Sequence, residues 1–130
     1  MRLSLYIPNS YLMASNEERN RVCNGCGAKD GAKVPDSILF VSILLACKIH
    51  DWMFEFGKTM GDYWFANLIF FWNMFVLVVN GSANKAMILI RMPIVIVYFL
   101  GVMTRFGISA YWVNKNENDD KTITIKGSLV

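Results

Sequence analysis

Two long apolar runs with only six residues between them constrain this chain more than any other feature. Residues 64–79 are apolar nearly all round, broken only by Asn67 and Asn73. Residues 86–103 are as apolar, interrupted by Arg91 and Pro93. Helices of this kind are buried on more than one side. The link from Asn80 to Lys85 is short, so the two form a tight antiparallel hairpin. The earlier helix is expected from about Asp62, a fair N-cap, to Val79, with Asn80-Gly81 as its stop. The later one is expected from near Asn84 to Trp112, with Pro93 kinking it or splitting it in two.

A bilayer-spanning hairpin is the alternative to buried helices in a water-soluble domain. A span wants roughly twenty apolar residues, and the first run falls short and carries two asparagines. The second is long enough but holds Arg91, and a charge at mid-membrane costs about 2.5 kcal/mol or more. Both runs are compromised where a span would be cleanest, so buried helices are preferred. The composition demands one or the other. Hydrophobic residues make up 55% of the chain and charged residues 18%, which calls for a large core or for contact with lipid or a partner.

Upstream, another helix is expected to end near Phe56, with Gly57 as its stop. Asp36, Ser37 and Ser42 are each candidate N-caps. Residues 1–22 read as an arm whose Tyr6, Ile7, Tyr11, Leu12 and Met13 pack onto the body. Residues 23–35, with three glycines and Pro35, read as a structured loop. Residues 114–130 form a polar tail in which Thr122–Ile125 alternates like a strand. The 130 residues make one domain. The net charge of +3 comes from scattered basic residues, so no nucleic-acid partner is expected, while a mild attraction to anionic membrane surfaces is allowed. Leu3 to Ile7 is too short for the apolar core of a signal peptide. Three cysteines allow at most one internal disulfide.

The chemistry concentrates in Cys47-Lys48-Ile49-His50-Asp51, which holds the chain's one histidine. Cys47, His50 and Phe54 share a helical stripe at i, i+3 and i+7. A Cys/Gly cluster, Cys23-Asn24-Gly25-Cys26-Gly27, lies upstream. An ester carbonyl hydrolyses faster when a cation polarises it and a base removes a proton from the attacking water. Histidine suits the second task and a calcium ion in hard oxygen ligands suits the first. His50 and Asp51, about 100 degrees apart on a helix, can serve one cleft.

These residues resemble the phospholipase A2 superfamily. The family's helix motif is Cys-x-x-His-Asp, then two residues and a tyrosine; here it is Cys47 to Asp51, Trp52, Met53 and Phe54. Its calcium loop resembles Asn24-Gly25-Cys26-Gly27-Ala28-Lys29. Compact viral and bacterial members carry Ala-Asp-x-x-Phe on a second, antiparallel helix, and this chain has Ala66-Asn67-Leu68-Ile69-Phe70. The resemblance covers roughly residues 23–75. With the third long kinked helix read from the apolar run around Pro93, the expected fold is all-α: two antiparallel core helices, that third helix and a glycine-rich metal-binding loop, as a domain over residues 23–113. It implies His50 as water-activating base, with Asn67 where the family has the aspartate that orients it. It implies Asp51 as a Ca2+ ligand, joined by backbone carbonyls near Gly25, Gly27 and Lys29. It implies a Cys26–Cys47 disulfide that leaves Cys23 outside the bridge. The implied activity is calcium-dependent hydrolysis of a lipid acyl ester, weakened or lost through Asn67, and the implied partner is a phospholipid or membrane surface.

Blander readings stand beside this one. Cys23, Cys26, Cys47 and His50 make a Cys3His set, and Cys47 and His50 have good zinc spacing, so a Zn2+-stabilised small domain is a second expectation. A non-catalytic membrane-associated protein is a third. Asn67 and Asn73 are then buried amides that bond neighbouring helices. Trp52, Trp64, Trp72 and Trp112 are core or rim residues, some of them suited to a membrane interface.

Overall fold

The computed structural model describes residues 3–23, 35–103 and 127–129. The chain is mostly helical. In order it forms β1 (Tyr6–Pro8), α1 (Asn9–Met13), α2 (Asn16–Val22), β2 (Ser37–Ile38), β3 (Val41–Ser42), α3 (Leu44–Phe56), α4 (Met60–Gly81), α5 (Lys85–Val102) and β4 (Gly127–Leu129). α4 is the element that both α3 and α5 pack against. Phe54 of α3 meets Tyr63 of α4 and His50 meets Phe70, so these helices run antiparallel. Phe71 meets Phe99, and the Tyr63 hydroxyl donates to the Val102 carbonyl, so α4 and α5 are antiparallel too.

Each helix start has a local cause, and two differ from expectation. α4 begins at Met60, not Asp62, because Thr59 is its N-cap. The Asp62 N–H donates to Thr59 Oγ1 at 3.1 Å and the Thr59 N–H donates to Asp62 Oδ2 at 3.2 Å. That reciprocal pair is a capping box. The N-cap of α3 is Ile43 rather than Asp36, Ser37 or Ser42, and of these three Ser42 still reaches the helix start, its Oγ accepting from the Leu44 N–H at 3.4 Å. Those polar residues belong to the β2–β3 hairpin instead, closed by the Ile43 N–H donating to the Asp36 carbonyl at 2.8 Å. Its two central residues, Leu39 (φ 44°) and Phe40 (φ 74°), both lie in the left-handed region. α3 stops at Gly57 as expected, and α5 starts from Asn84, whose Oδ1 accepts from the Met87 N–H at 3.1 Å. Pro93 lies inside α5 without splitting it. Residues 104–112 of the expected third helix, and Thr122–Ile125, lie outside the described residues.

The core has two lobes on either side of α3. Ala46 and Cys47 join Phe70, Met74, Val78 and Val95 on the α4–α5 side. Ile49, Trp52 and Met53 join Ile7, Tyr11 and Val22 of the arm on the other. The arm is therefore core. Cys23 Sγ donates to the Lys48 carbonyl at 3.1 Å and ties the end of α2 to α3. Asparagines of α4 hold the beginning of the chain. The Asn73 side chain accepts from the Tyr6 N–H at 2.8 Å and donates to the Tyr6 carbonyl at 2.9 Å. Asn80 does the same to Leu3, at 2.9 and 3.0 Å. Seven residues of helix rise about 10.5 Å, and three residues of extended chain span about 10 Å, so the two clamps share a register. Asn73 thus bonds the arm rather than a neighbouring helix. β1 also pairs antiparallel with β4, Tyr6 opposite Leu129. At the far end of α4 the packing is close: a Cβ on Gly81 would meet Val41 Cγ1 at 2.9 Å.

Candidate active site

Antiparallel packing of α3 on α4 brings the expected pair together. His50 Nε2 lies 2.7 Å from Asn67 Oδ1. The orientation of the Asn67 amide follows from its other end, since Nδ2 donates to the Val102 carbonyl at 3.4 Å. Oδ1 is then the atom facing the imidazole, and it can only accept. His50 must carry its proton on Nε2, which leaves Nδ1 as the ring's basic nitrogen. No described residue bonds Nδ1.

The ring sits between aromatic faces. Phe54, one turn further along α3, has its centroid 4.0 Å from the imidazole, and Phe70 stacks on it at 4.5 Å. His50 is 6% exposed and Asn67 fully buried. Burial in this apolar setting disfavours the imidazolium and drives the His50 pKa down to about 4, against the opposing pull of the Asn67 bond. The ring is neutral at pH 7.

One participant escaped the sequence reading. Phe54 brings no hydroxyl to the site. Tyr63, one turn before Asn67 on α4, supplies one. It is fully buried, bonds the Asn67 side chain, and donates to the Val102 carbonyl at 2.7 Å. Burial raises its pKa, with the Asn67 bond opposing. Its spacing, i and i+4 to Asn67, was the available signal. Val102 ends α5, where carbonyls lack helical partners and the dipole is negative. Two donors from α4 satisfy that carbonyl, and its field lies behind the amide that faces His50.

No protein-family model, curated protein or solved structure matches this chain.

The remaining expected residues divide by position. Asp51 follows His50 on α3 and is partly buried. Cys47, one turn before His50, is disulfide-bonded. A cysteine in a disulfide has no thiolate to offer zinc. Gly25, Cys26, Gly27 and Lys29 lie outside the described residues. Among the described residues, no three His, Cys, Asp or Glu side chains cluster to hold a metal. A calcium site of the expected kind does not require such a cluster, because one carboxylate and loop carbonyls complete it. Asp51, next to His50 along α3, carries a carboxylate, the type of hard oxygen that calcium takes.

Proposed function

We propose that this chain is a phospholipase A2-like, calcium-dependent hydrolase of lipid acyl esters, slowed by an amide where a carboxylate would serve better. The observation that carries the reading is the 2.7 Å contact between His50 Nε2 and Asn67 Oδ1 across two antiparallel helices. It fixes the tautomer that a water-activating histidine needs. Nδ1 of the neutral ring takes a proton from the water that attacks the ester carbonyl, and later returns it to the leaving alcohol. Asn67 holds Nε2–H and so holds the plane of the ring. Tyr63 and the Val102 carbonyl hold Asn67. A calcium ion, bound by Asp51 and by carbonyls near Gly25, Gly27 and Lys29, would polarise the ester carbonyl.

The same geometry explains why the rate should be low. The imidazolium formed in the reaction sits among phenyl rings with no carboxylate to stabilise it, and electrostatic support of that kind is worth orders of magnitude in rate. A base whose pKa is near 4 is also a weak one at neutral pH. The negative end of α5 behind Asn67 supplies part of the missing field.

The test is fatty-acid release from phospholipid vesicles in the presence of calcium. Slow release is expected from the native chain, none from His50→Gln, and roughly ten-fold or more faster release from Asn67→Asp. Release that is absent in all three, or unchanged in His50→Gln, refutes the hydrolase.

A further inference from the structure

α5 is built with its polarity inverted. Its one charged residue beyond the first turn, Arg91, points inward and is buried. The guanidinium donates from Nη2 to the Leu39 carbonyl at 2.7 Å, from Nε to the same carbonyl at 3.3 Å, and from Nη1 to Ser82 Oγ at 2.7 Å. The outward positions are Leu89, Ile90, Pro93, Ile96, Val97 and Leu100, all exposed. They recur at three- and four-residue steps, so they form one continuous face. None has a side chain that can hydrogen-bond. A helix facing water carries the opposite arrangement, whereas a helix facing lipid turns its charge inward onto backbone carbonyls. A protein partner would be met by a polar rim and about one hydrogen bond per 100–200 Å², and this face offers no such groups.

The Leu39–Phe40 turn adds a second observation. Both residues hold positive φ in a two-residue hairpin turn, where Asn-Gly is the usual solution. A non-glycine residue there is strained. Phe40 is nonetheless fully exposed, and Arg91 of α5 grips the carbonyl immediately before it. The strain therefore holds an aromatic ring out in solvent beside α5.

We propose that the outward face of α5, with Phe40 as an anchor, lies on the hydrocarbon boundary of a lipid bilayer. The arrangement is in-plane rather than spanning. α4 is covered by α3 and the arm on the side away from α5, and those elements expose Glu17, Arg21 and Glu55, which a spanning hairpin would drag into hydrocarbon. The inference stands on α5 and the turn alone and does not rest on the hydrolase reading.

The experiment is flotation of the full chain with calcium-free vesicles of phosphatidylcholine and phosphatidylglycerol. The native chain is expected to float and to be released by alkaline carbonate. The Ile90→Glu/Val97→Glu double variant, altered only at solvent-facing positions, is expected to lose at least ten-fold in partitioning with its helical circular dichroism unchanged. Phe40→Gly separates anchoring from folding: glycine relieves the positive φ and so offsets its own entropic cost, and its Tm should not fall while flotation falls several-fold. A native chain that stays monomeric and does not float overturns the proposal. So does a native dimer that the double variant dissociates without any vesicle binding, which would make the face an interface between two copies. Retention after carbonate overturns the in-plane arrangement. Flotation without fatty-acid release would remove the hydrolase and leave this inference standing; release without flotation would do the reverse.

Discussion

The two sides of α4 solve opposite problems. On the α3 side, buried polar groups answer one another and the backbone. Asn67 bonds His50 and Val102, and Asn73 clamps Tyr6. On the α5 side, the outward surface is aliphatic and the charge is turned in. Apolar residues in the first region complete a core. Apolar residues of similar size in the second contribute little to folding in water, because solvent reaches them in the folded state. What such a chain buries is thus set by where hydrogen bonds can be closed, and what it exposes is left for another phase.

Large-to-small substitutions test that contrast most strongly. Phe70→Ala, which removes a ring buried against both His50 and the α4–α5 lobe, should cost about 3–5 kcal/mol in urea unfolding. Leu89→Ala on the outward face of α5 should change stability by less than about 0.5 kcal/mol. Equal losses at the two sites would erase the distinction between the regions.

Acid is the next largest perturbation. The unfolded chain binds a proton at the histidine below its ordinary pKa of 6.5, while folded His50 refuses one until about pH 4. Stability from this group is therefore complete above pH 6.5 and lost as pH falls toward 4, by about 3 kcal/mol on that interval. Asn67→Asp should narrow the loss, because a carboxylate favours the imidazolium. Unfolding curves at pH 7 and pH 4.5, compared between native and variant, measure both.

The asparagine clamps give the smallest effects. Asn73→Ala leaves the part-buried Tyr6 backbone without its side-chain partner and should cost about 1–3 kcal/mol. Asn80→Ala makes the same change where water can replace the amide, and should cost less than about 1 kcal/mol. Thermal unfolding orders them, and a larger loss at Asn80 would mean that the arm is anchored at its beginning rather than at β1.

Local patterns were legible in the sequence. The Cys47, His50, Phe54 stripe and the α4–α5 hairpin follow from helical periodicity, whereas Asn67 was placed opposite His50 by the resemblance to a family motif, and the helices bring the two together. Non-local pairings were not legible. Tyr63 and Asn67 meet Val102, and Asn73 and Asn80 meet Tyr6 and Leu3, across 35 to 77 residues. Nothing in either partner's local sequence announces the other. The β2–β3 hairpin hid for a different reason. Asp36, Ser37 and Ser42 favour turns as well as helix caps, and Leu39-Phe40 carries none of the Gly or Asn signal that marks a left-handed turn.

One nitrogen-15 NMR titration of His50 bears on all of this, since the chain has a single histidine and hence a single pair of ring signals. A neutral ring, protonated on Nε2 and bare on Nδ1, that takes up its second proton only near pH 4 is the predicted result. A ring that titrates near pH 6.5, or that carries its neutral-state proton on Nδ1, contradicts the account.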